Sequence, residues 1–437
     1  MNTKETRINE LIRELSELAH PPYVPTLDNF VPGKTPVLYA GPSWDSGEIS
    51  AGLRSFLTGK WLTAGEKSAK FEIEFSKHVG TQSSVFVNSG SSANLVMMLA
   101  LKKFFELDNG DEVIVPVSGF PTTVAPIEQA GLTPKFADID INDMNWNEEK
   151  LVDLITPRTK AIIASPFLGN PGNFVSVIEE FESRGIAVLL DGCDSLGTVF
   201  IDNNNDRVPL NRFSRASTCS FYPAHHITTG EGGMVSGDKN FIKIARSIAW
   251  WGRSCYCVGS CNKLAKGTCG KRFDNWIPDI DMVLDHRYVY DNIGLNVKPL
   301  DMQAAIGIVQ LEKANTLSEK RRSIKNKIDA AIKTHDFLTT IDETKQYETS
   351  WFGTPIICKT PEIKVKLVAY LENAKIQTRN NFAGNLLVHP GYRHMGDYKQ
   401  FPVALDGMRR VFFVGASPLW TDEVIDYIVQ TIVAFRL

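Results

Sequence analysis

Histidine 225 stands in the stretch 220–233, which reads Ser-Phe-Tyr-Pro-Ala-His-His-Ile-Thr-Thr-Gly-Glu-Gly-Gly. Pro223 stops a strand, and Gly230, Gly232 and Gly233 permit tight turns, so this is a loop closing the short run 216–221. A histidine on such a loop can serve as a general base near neutral pH. Its neighbour His226 reads as a packing histidine. A second place with chemistry is the turn Asn-Ser-Gly-Ser-Ser-Ala at 88–93, between a strand-like triplet and an apolar helix. Small residues there let an anion approach backbone N–H groups at a helix N-terminus. The third is a set of thiols: Cys193, then Cys255, Cys257, Cys261 and Cys269. Such clustering points to a metal, and spacing alone leaves structural zinc, an iron-sulfur cluster and free thiols open. Cys219 and Cys358 read as core residues.

The 220–233 stretch closely resembles the cofactor-lysine segment of the fold type I, pyridoxal phosphate (PLP)-dependent sugar aminotransferases of the DegT/DnrJ/EryC1/StrS type. Their segment reads roughly Ser-Phe-His-x-x-Lys-x-x-Thr-x-Gly-Glu-Gly-Gly. Ser220 and residues 228–233 match, while Tyr222 replaces the histidine and His225 the lysine. Lysine there bonds covalently to the cofactor aldehyde; histidine cannot. The resemblance therefore implies the amine form, pyridoxamine phosphate (PMP), held without a covalent bond. It assigns Gly90, Ser91, Ser92 and Ser220 to the phosphate, Phe120 to the ring face and Asp191 to the pyridine nitrogen. Asp194 falls near the phenolic oxygen, where aminotransferases carry Gln or His. Asn296 would touch the phosphate in a partner subunit's site, which implies a homodimer. Trp61 and Thr63, in the 59–65 segment, resemble a sugar-nucleotide entry, and Phe352, Arg379, Asn380 and His389 are further substrate-side candidates.

Three departures around the ring (Asp194, Tyr222, His225) suggest a different reaction on the same scaffold. A histidine for the lysine together with a Cys…Cys-x-Cys…Cys set resembles the CDP-6-deoxy-4-ketohexose 3-dehydrases of 3,6-dideoxyhexose and lipopolysaccharide O-antigen biosynthesis. That resemblance implies C-3 dehydration of a CDP-linked 4-keto-6-deoxyhexose with PMP and a 2Fe-2S cluster, His225 acting as base. The cluster would sit on Cys193, Cys255, Cys257 and Cys269, with Cys261 spare, and a separate flavin/iron-sulfur reductase would feed it. The alternatives are a cluster-free 3-dehydratase that renews its amine from glutamate, an aminotransferase with structural zinc, and a non-catalytic remnant of the fold.

Strands are expected at 85–87, 112–116, 135–140, 161–167 and 186–190, with helices at 67–79 and 94–101 and helical spacers between the later strands. That alternation predicts an α/β fold with a mostly parallel sheet covered on both faces, and ligands at the carboxyl ends of its strands. Residues 41–65 read as loop. A helix at 301–312 follows, then strands near 351–358 and helices at 361–374 and 421–435 in a smaller α+β domain. The division expected is an N-terminal helical arm (1–40), a large PMP-binding domain (41–314) with a cysteine insert near 255–269, and a C-terminal domain (315–437). Ile8, Leu11, Ile12, Leu15 and Leu18 make the arm an amphipathic helix.

The chain has 437 residues, 43% hydrophobic and 22% charged, with a net charge of −3. This is an ordinary globular composition, long enough for two cores. It carries no polyelectrolyte signature for nucleic acid. No apolar run is long enough to cross a bilayer, and residues 1–20 lack a signal peptide's apolar core, so no membrane partner and a cytoplasmic location are expected.

Overall fold

The computed structural model describes residues 3–19, 30–59, 61–255 and 269–437. The first part of the chain runs α1 (Thr3–Leu18), α2 (Ser46–Thr58), α3 (Glu66–His78), β1 (Ser83–Val87), α4 (Gly90–Phe104), β2 (Glu112–Pro116), α5 (Pro121–Gln129) and β3 (Thr133–Ala137). It continues with α6 (Glu148–Leu151), β4 (Thr159–Ala164), α7 (Phe174–Ser183), β5 (Ala187–Asp191), β6 (Val199–Ile201), β7 (Arg207–Pro209), β8 (Ala216–Ser220), β9 (Gly233–Gly237) and α8 (Lys239–Ala249).

Among the described residues, seven of these strands form one sheet in the order β1-β9-β8-β5-β4-β2-β3. The five from β8 to β3 are parallel, and β9 runs antiparallel to both its neighbours. Continuous apolar runs such as Ala-Val-Leu-Leu in β5 are what a strand covered on both faces requires. Successive side chains divide accordingly. Val113, Val115, Ile163 and Leu189 join one core with α4 and α8, whereas Ile114, Ile162, Val188 and Leu190 join another with α7. A third core lies under β1, β8 and β9, where Phe71, Phe75, Phe86 and Phe221 pack edge to face.

After α9 (Asp301–Ile332) come β10 (Leu338–Thr339), β11 (Tyr347–Glu348), β12 (Gly353–Cys358), α10 (Pro361–Asn373), β13 (Thr378–Asn380), α11 (Pro402–Arg410), β14 (Val411–Gly415) and α12 (Asp422–Ala434). Strands β10, β12, β14 and β13 form an antiparallel sheet with its own apolar core. β11 instead pairs with β6 of the larger unit.

Several local expectations change. The segment 41–65 contains α2, started by an Asp45–Glu48 capping box, rather than loop alone. The helix expected at 94–101 begins at Gly90, and the one expected at 301–312 runs to Ile332 because its polar stretch is packed by both units. Residues 314 and 315 therefore lie inside one helix. In α1 it is Ile12 and Ser16 that are buried, while Leu11, Leu15 and Leu18 face outward. Val37, assigned to the arm, packs into the core of the smaller sheet.

Candidate active site

The loop 221–232 joins β8 to β9 and is tied to itself and to α9. Thr228 Oγ1 donates to the Phe221 carbonyl, Phe221 N to the Gly232 carbonyl, and Thr228 N to Gln310 Oε1. Its glycines serve close approach. A Cβ on Gly233 would lie 2.2 Å from the Ser89 carbonyl oxygen, so a side chain there would bar the close approach of β9 to the start of α4. The same holds for Gly90, where a Cβ would come within 2.5 Å of Ser220 Cβ. Ser220, Gly90, Ser91 and Ser92 are thereby brought to one place. Ser89 caps α4, accepting from Ser92 N at 3.0 Å. The first turn of α4 has no acidic residue, which leaves its positive end for an anion.

Asp191 ends β5 and is 5% exposed. Its Oδ2 accepts from Asn94 Nδ2 at 2.8 Å and from Thr123 Oγ1 at 2.7 Å, and its Oδ1 from Cys193 N at 3.3 Å and Thr218 Oγ1 at 3.4 Å. Thr218 in turn donates to Asn94 Oδ1 at 2.6 Å. Among the described residues no Lys, Arg or His forms an ion pair with this buried carboxylate. A charge so placed calls for a cationic ligand. The ring of a protonated pyridine supplies one, and the cradle at Ser89–Ser92 and Ser220 suits a phosphate; PMP fits the residues present. Asn94, Thr123 and Thr218 are partners of Asp191 that sequence reading missed, since polar side chains within helices and strands carry no distinctive spacing.

His225 follows the single turn closed by its own N–H donating to the Tyr222 carbonyl. Its Nδ1 is buried and 3.3 Å from Asp194 Oδ1, outside hydrogen-bond geometry. The Tyr222 ring stands 6.4 Å away and is half exposed, and the Phe352 ring lies 5.3 Å away. Phe352 is 3% exposed and backs His225 from inside the core. His226 is buried, and its Nε2–H donates to the Ser350 carbonyl at 2.6 Å. Burial, with Arg321 nearby, holds its pKa well below the usual value, so His226 is a neutral packing group.

Phe120 is 52% exposed at the N-cap of α5, its ring edge-on to Phe382 at 6.5 Å. The smaller unit reaches this end of the sheet through Asn381, which is buried and donates to Ser118 Oγ at 3.3 Å, and through Leu386 N, which donates to the Val117 carbonyl. Arg379 donates to the Thr378 carbonyl and stacks 4.0 Å over Tyr39. Burial pushes the Tyr39 hydroxyl up, Arg379 pulls it down, and Tyr222 and Asp194 add to the rise. Tyr39 therefore belongs to the same cluster, although it lies in the segment read as an arm. Asn380 is exposed at the end of β13. His389 donates to the Ala383 carbonyl at 2.8 Å and fixes its own loop. Trp61 is exposed, and Thr63 bridges to Leu300. Asn296 accepts from Lys298 Nζ, and the Val297 carbonyl beside it accepts from Asn88 N. Burial, with Arg253 adding, lowers the Lys298 ammonium to about 8.

The cysteines are less convergent. Cys257 and Cys261 lie outside the described residues. Burial and the neighbouring Asp191 push the Cys193 thiol well above its usual pKa. Cys255 is buried, and Cys269 Sγ approaches His286 Nε2 at 3.7 Å. Among the described residues no three potential ligands assemble around a point. Cys219 and Cys358 are buried in the core.

The sequence model of the DegT/DnrJ/EryC1/StrS aminotransferase family matches residues 45–433. The chain belongs to that family. Similar members include the lipopolysaccharide biosynthesis protein RfbH of Salmonella typhimurium, 35% identical over 98% of this chain and 97% of the relative. The GDP-4-keto-6-deoxy-D-mannose 3-dehydratase of Escherichia coli O55:H7 is 37% identical over 82% of this chain and 89% of that one. A solved structure of a GDP-4-keto-6-deoxymannose-3-dehydratase with bound GDP-perosamine superimposes with TM-score 0.77 at 32% identity, covering 90% of this chain and 99% of that one. Another, from E. coli with bound hydrated PLP, gives 0.76, also at 32% identity, covering 90% and 98%. The fold is that of the fold type I aminotransferases, as expected. No helix among the described residues is long and apolar enough to cross a membrane.

Proposed function

We propose that this protein is a PMP-dependent 3-dehydratase acting on a nucleotide-linked 4-keto-6-deoxyhexose. The observation that carries this is the pairing of two features at neighbouring strand ends. A buried carboxylate that no cation pairs with among the described residues, Asp191, ends β5, and His225 stands at the lysine position after β8. Relatives named as 3-dehydratases support the same reading.

When bound, PMP supplies an amine able to condense with a ketone and a ring able to take up an electron pair. The N-terminal turn of α4 and Ser220 would hold its phosphate, Phe120 would cover its ring, and Asp191 would keep the ring nitrogen protonated. Asp194 faces Nδ1 of His225, and Nε2 would be the atom that accepts the proton when the cofactor is bound. His225 would hold that proton and hand it to the departing C-3 hydroxyl, so that water leaves; the two electrons for the deoxygenation would come from the amine form of the cofactor, which would end as the aldehyde with release of ammonia. Asn296 would reach the phosphate of a second copy in a homodimer.

A reductive form of the reaction, on a CDP-linked sugar with electrons from a flavin/iron-sulfur reductase through a 2Fe-2S cluster, rests on the sequence resemblance at Cys193, Cys255, Cys257 and Cys269. No step is assigned to that cluster. The other reading is cluster-free, with the amine renewed from glutamate. Iron, sulfide and zinc assays with EPR on protein purified without air separate them. The cluster-free form predicts no spin signal after dithionite, and stoichiometric iron and sulfide with such a signal would restore the cluster. The main test is turnover of a 4-keto-6-deoxyhexose nucleotide with added PMP. Wild type should lose the C-3 oxygen of the sugar, whereas His225→Asn should bind PMP and leave that oxygen in place. Formation of an amino sugar instead would make the protein an aminotransferase.

A further inference from the structure

Arg321, in the middle of α9, is 2% exposed, yet among the described residues it forms no ion pair. The fold neutralises another buried arginine conventionally: Arg246 meets Glu72 through two bonds of 3.0 and 2.8 Å. Among the described residues Arg321 meets only carbonyl oxygens. Nη2 donates to His225 O at 3.1 Å, and Nη1 to Phe352 O at 3.3 Å and to Ala416 O at 3.5 Å, while Nε has no partner. A buried guanidinium satisfied in this way is costly compared with an apolar side chain of the same shape. Stability alone does not explain it.

The three carbonyls belong to three segments. His225 is in the loop after β8, Phe352 immediately precedes β12, and Ala416 immediately follows β14. Phe352 is also the ring that backs the His225 imidazole at 5.3 Å. One side chain thus fixes the peptide of His225 and the wall behind its ring, and ties both to the smaller sheet. Burial lowers the guanidinium to about 10, with Asp194 opposing that change, so the group is charged at neutral pH.

We propose that Arg321 is a positioning residue that acts through His225, holding its peptide so that the imidazole stays between Asp194 and the cofactor cleft. This rests on the reading of His225 as the base. The bond to the peptide, rather than the positive charge alone, is what matters, so lysine replaces arginine only in part.

The test uses the full chain with added PMP and the variants Arg321→Met and Arg321→Lys. Arg321→Met should keep PMP affinity and KM within about twofold and lower kcat about a hundredfold, the cost of a misplacement near 1 Å. Arg321→Lys should fall between, and free guanidinium should restore part of the loss in Arg321→Met. Adding Arg321→Met to His225→Asn should cost nothing more. Independently of turnover, the imidazole NMR resonance of His225, assigned by its loss in His225→Asn, should shift in both Arg321 variants before substrate is added. The proposal is overturned if kcat is unchanged, if the two losses multiply in the double variant, if PMP binding falls as far as kcat, or if the resonance stays put. Should His225→Asn itself turn over at the wild-type rate, the reading of His225 falls, and the resonance still decides whether Arg321 holds it.

Discussion

A carboxylate buried without a cation is held in place by what donates to it, and at Asp191 the donors are neutral: Asn94, Thr123, Thr218 and one peptide N–H. Neutral donors fix its direction without cancelling its charge, which is the preparation a cationic ring needs. Asp191→Asn should therefore leave apo stability unchanged or raise it, since an uncompensated buried charge is removed. It should weaken PMP binding by about 10- to 100-fold, the worth of one charge-assisted hydrogen bond. Thermal melts and absorbance titration measure the two effects, and unaltered PMP affinity would refute the role given to Asp191. At this scale the placing of Asp191, His225, Ser220 and the 88–93 turn at strand ends was legible, because strand–helix alternation and a long motif mark it. Tyr39 and Arg321 were not. Their contacts are with partners far along the chain, and neither sits in a patterned segment.

Between elements, the decisive contact is the abutment of the α4 N-terminus on the ends of β8 and β9. A methyl group at Gly90 would sit 2.5 Å from Ser220 Cβ, 2.8 Å from its Oγ and 3.1 Å from its Cα. Gly90→Ala should cost about 1–3 kcal/mol in urea unfolding, as overpacking does, and reduce phosphate-dependent PMP binding. Gly119→Ala, beside Phe120 with nothing within 4 Å of its added Cβ, is the control expected to leave both unchanged. Equal stability in the two variants would contradict the close approach. The sequence pattern marked the parallel strands but not β9, whose Gly-Met-Val-Ser-Gly has little strand propensity of its own. It is a strand because it pairs on both sides. The extent of α9 was hidden for a similar reason: its polar stretch after Glu312 is helical because two units pack on it, and period alone does not reveal that.

On the scale of the whole molecule, α1 and α2 turn Leu11, Leu15, Phe56 and Leu57 outward, and Ile293, 100% exposed, stands just before the Asn296 segment. Such apolar exposure fits the homodimer proposed for this chain. Sedimentation should give a dimer at micromolar concentration, and Ile293→Asp with Leu57→Asp should give monomers of lower activity. A wild-type monomer with full turnover would refute the shared site. The mostly parallel sheet, with Asp191 and Ser220 at its strand ends, was readable from strand–helix alternation, whereas the relative placing of the cysteines was not, because thiol spacing does not fix distances in space. The most direct measurement is mass spectrometry of the sugar nucleotide after incubation with PMP and either wild-type protein or His225→Asn, both shown to bind PMP. Loss of the C-3 oxygen with wild type alone is the expected result. The same loss with His225→Asn, or conversion of the ketone to an amine by the wild type, would contradict the chemistry assigned to this site.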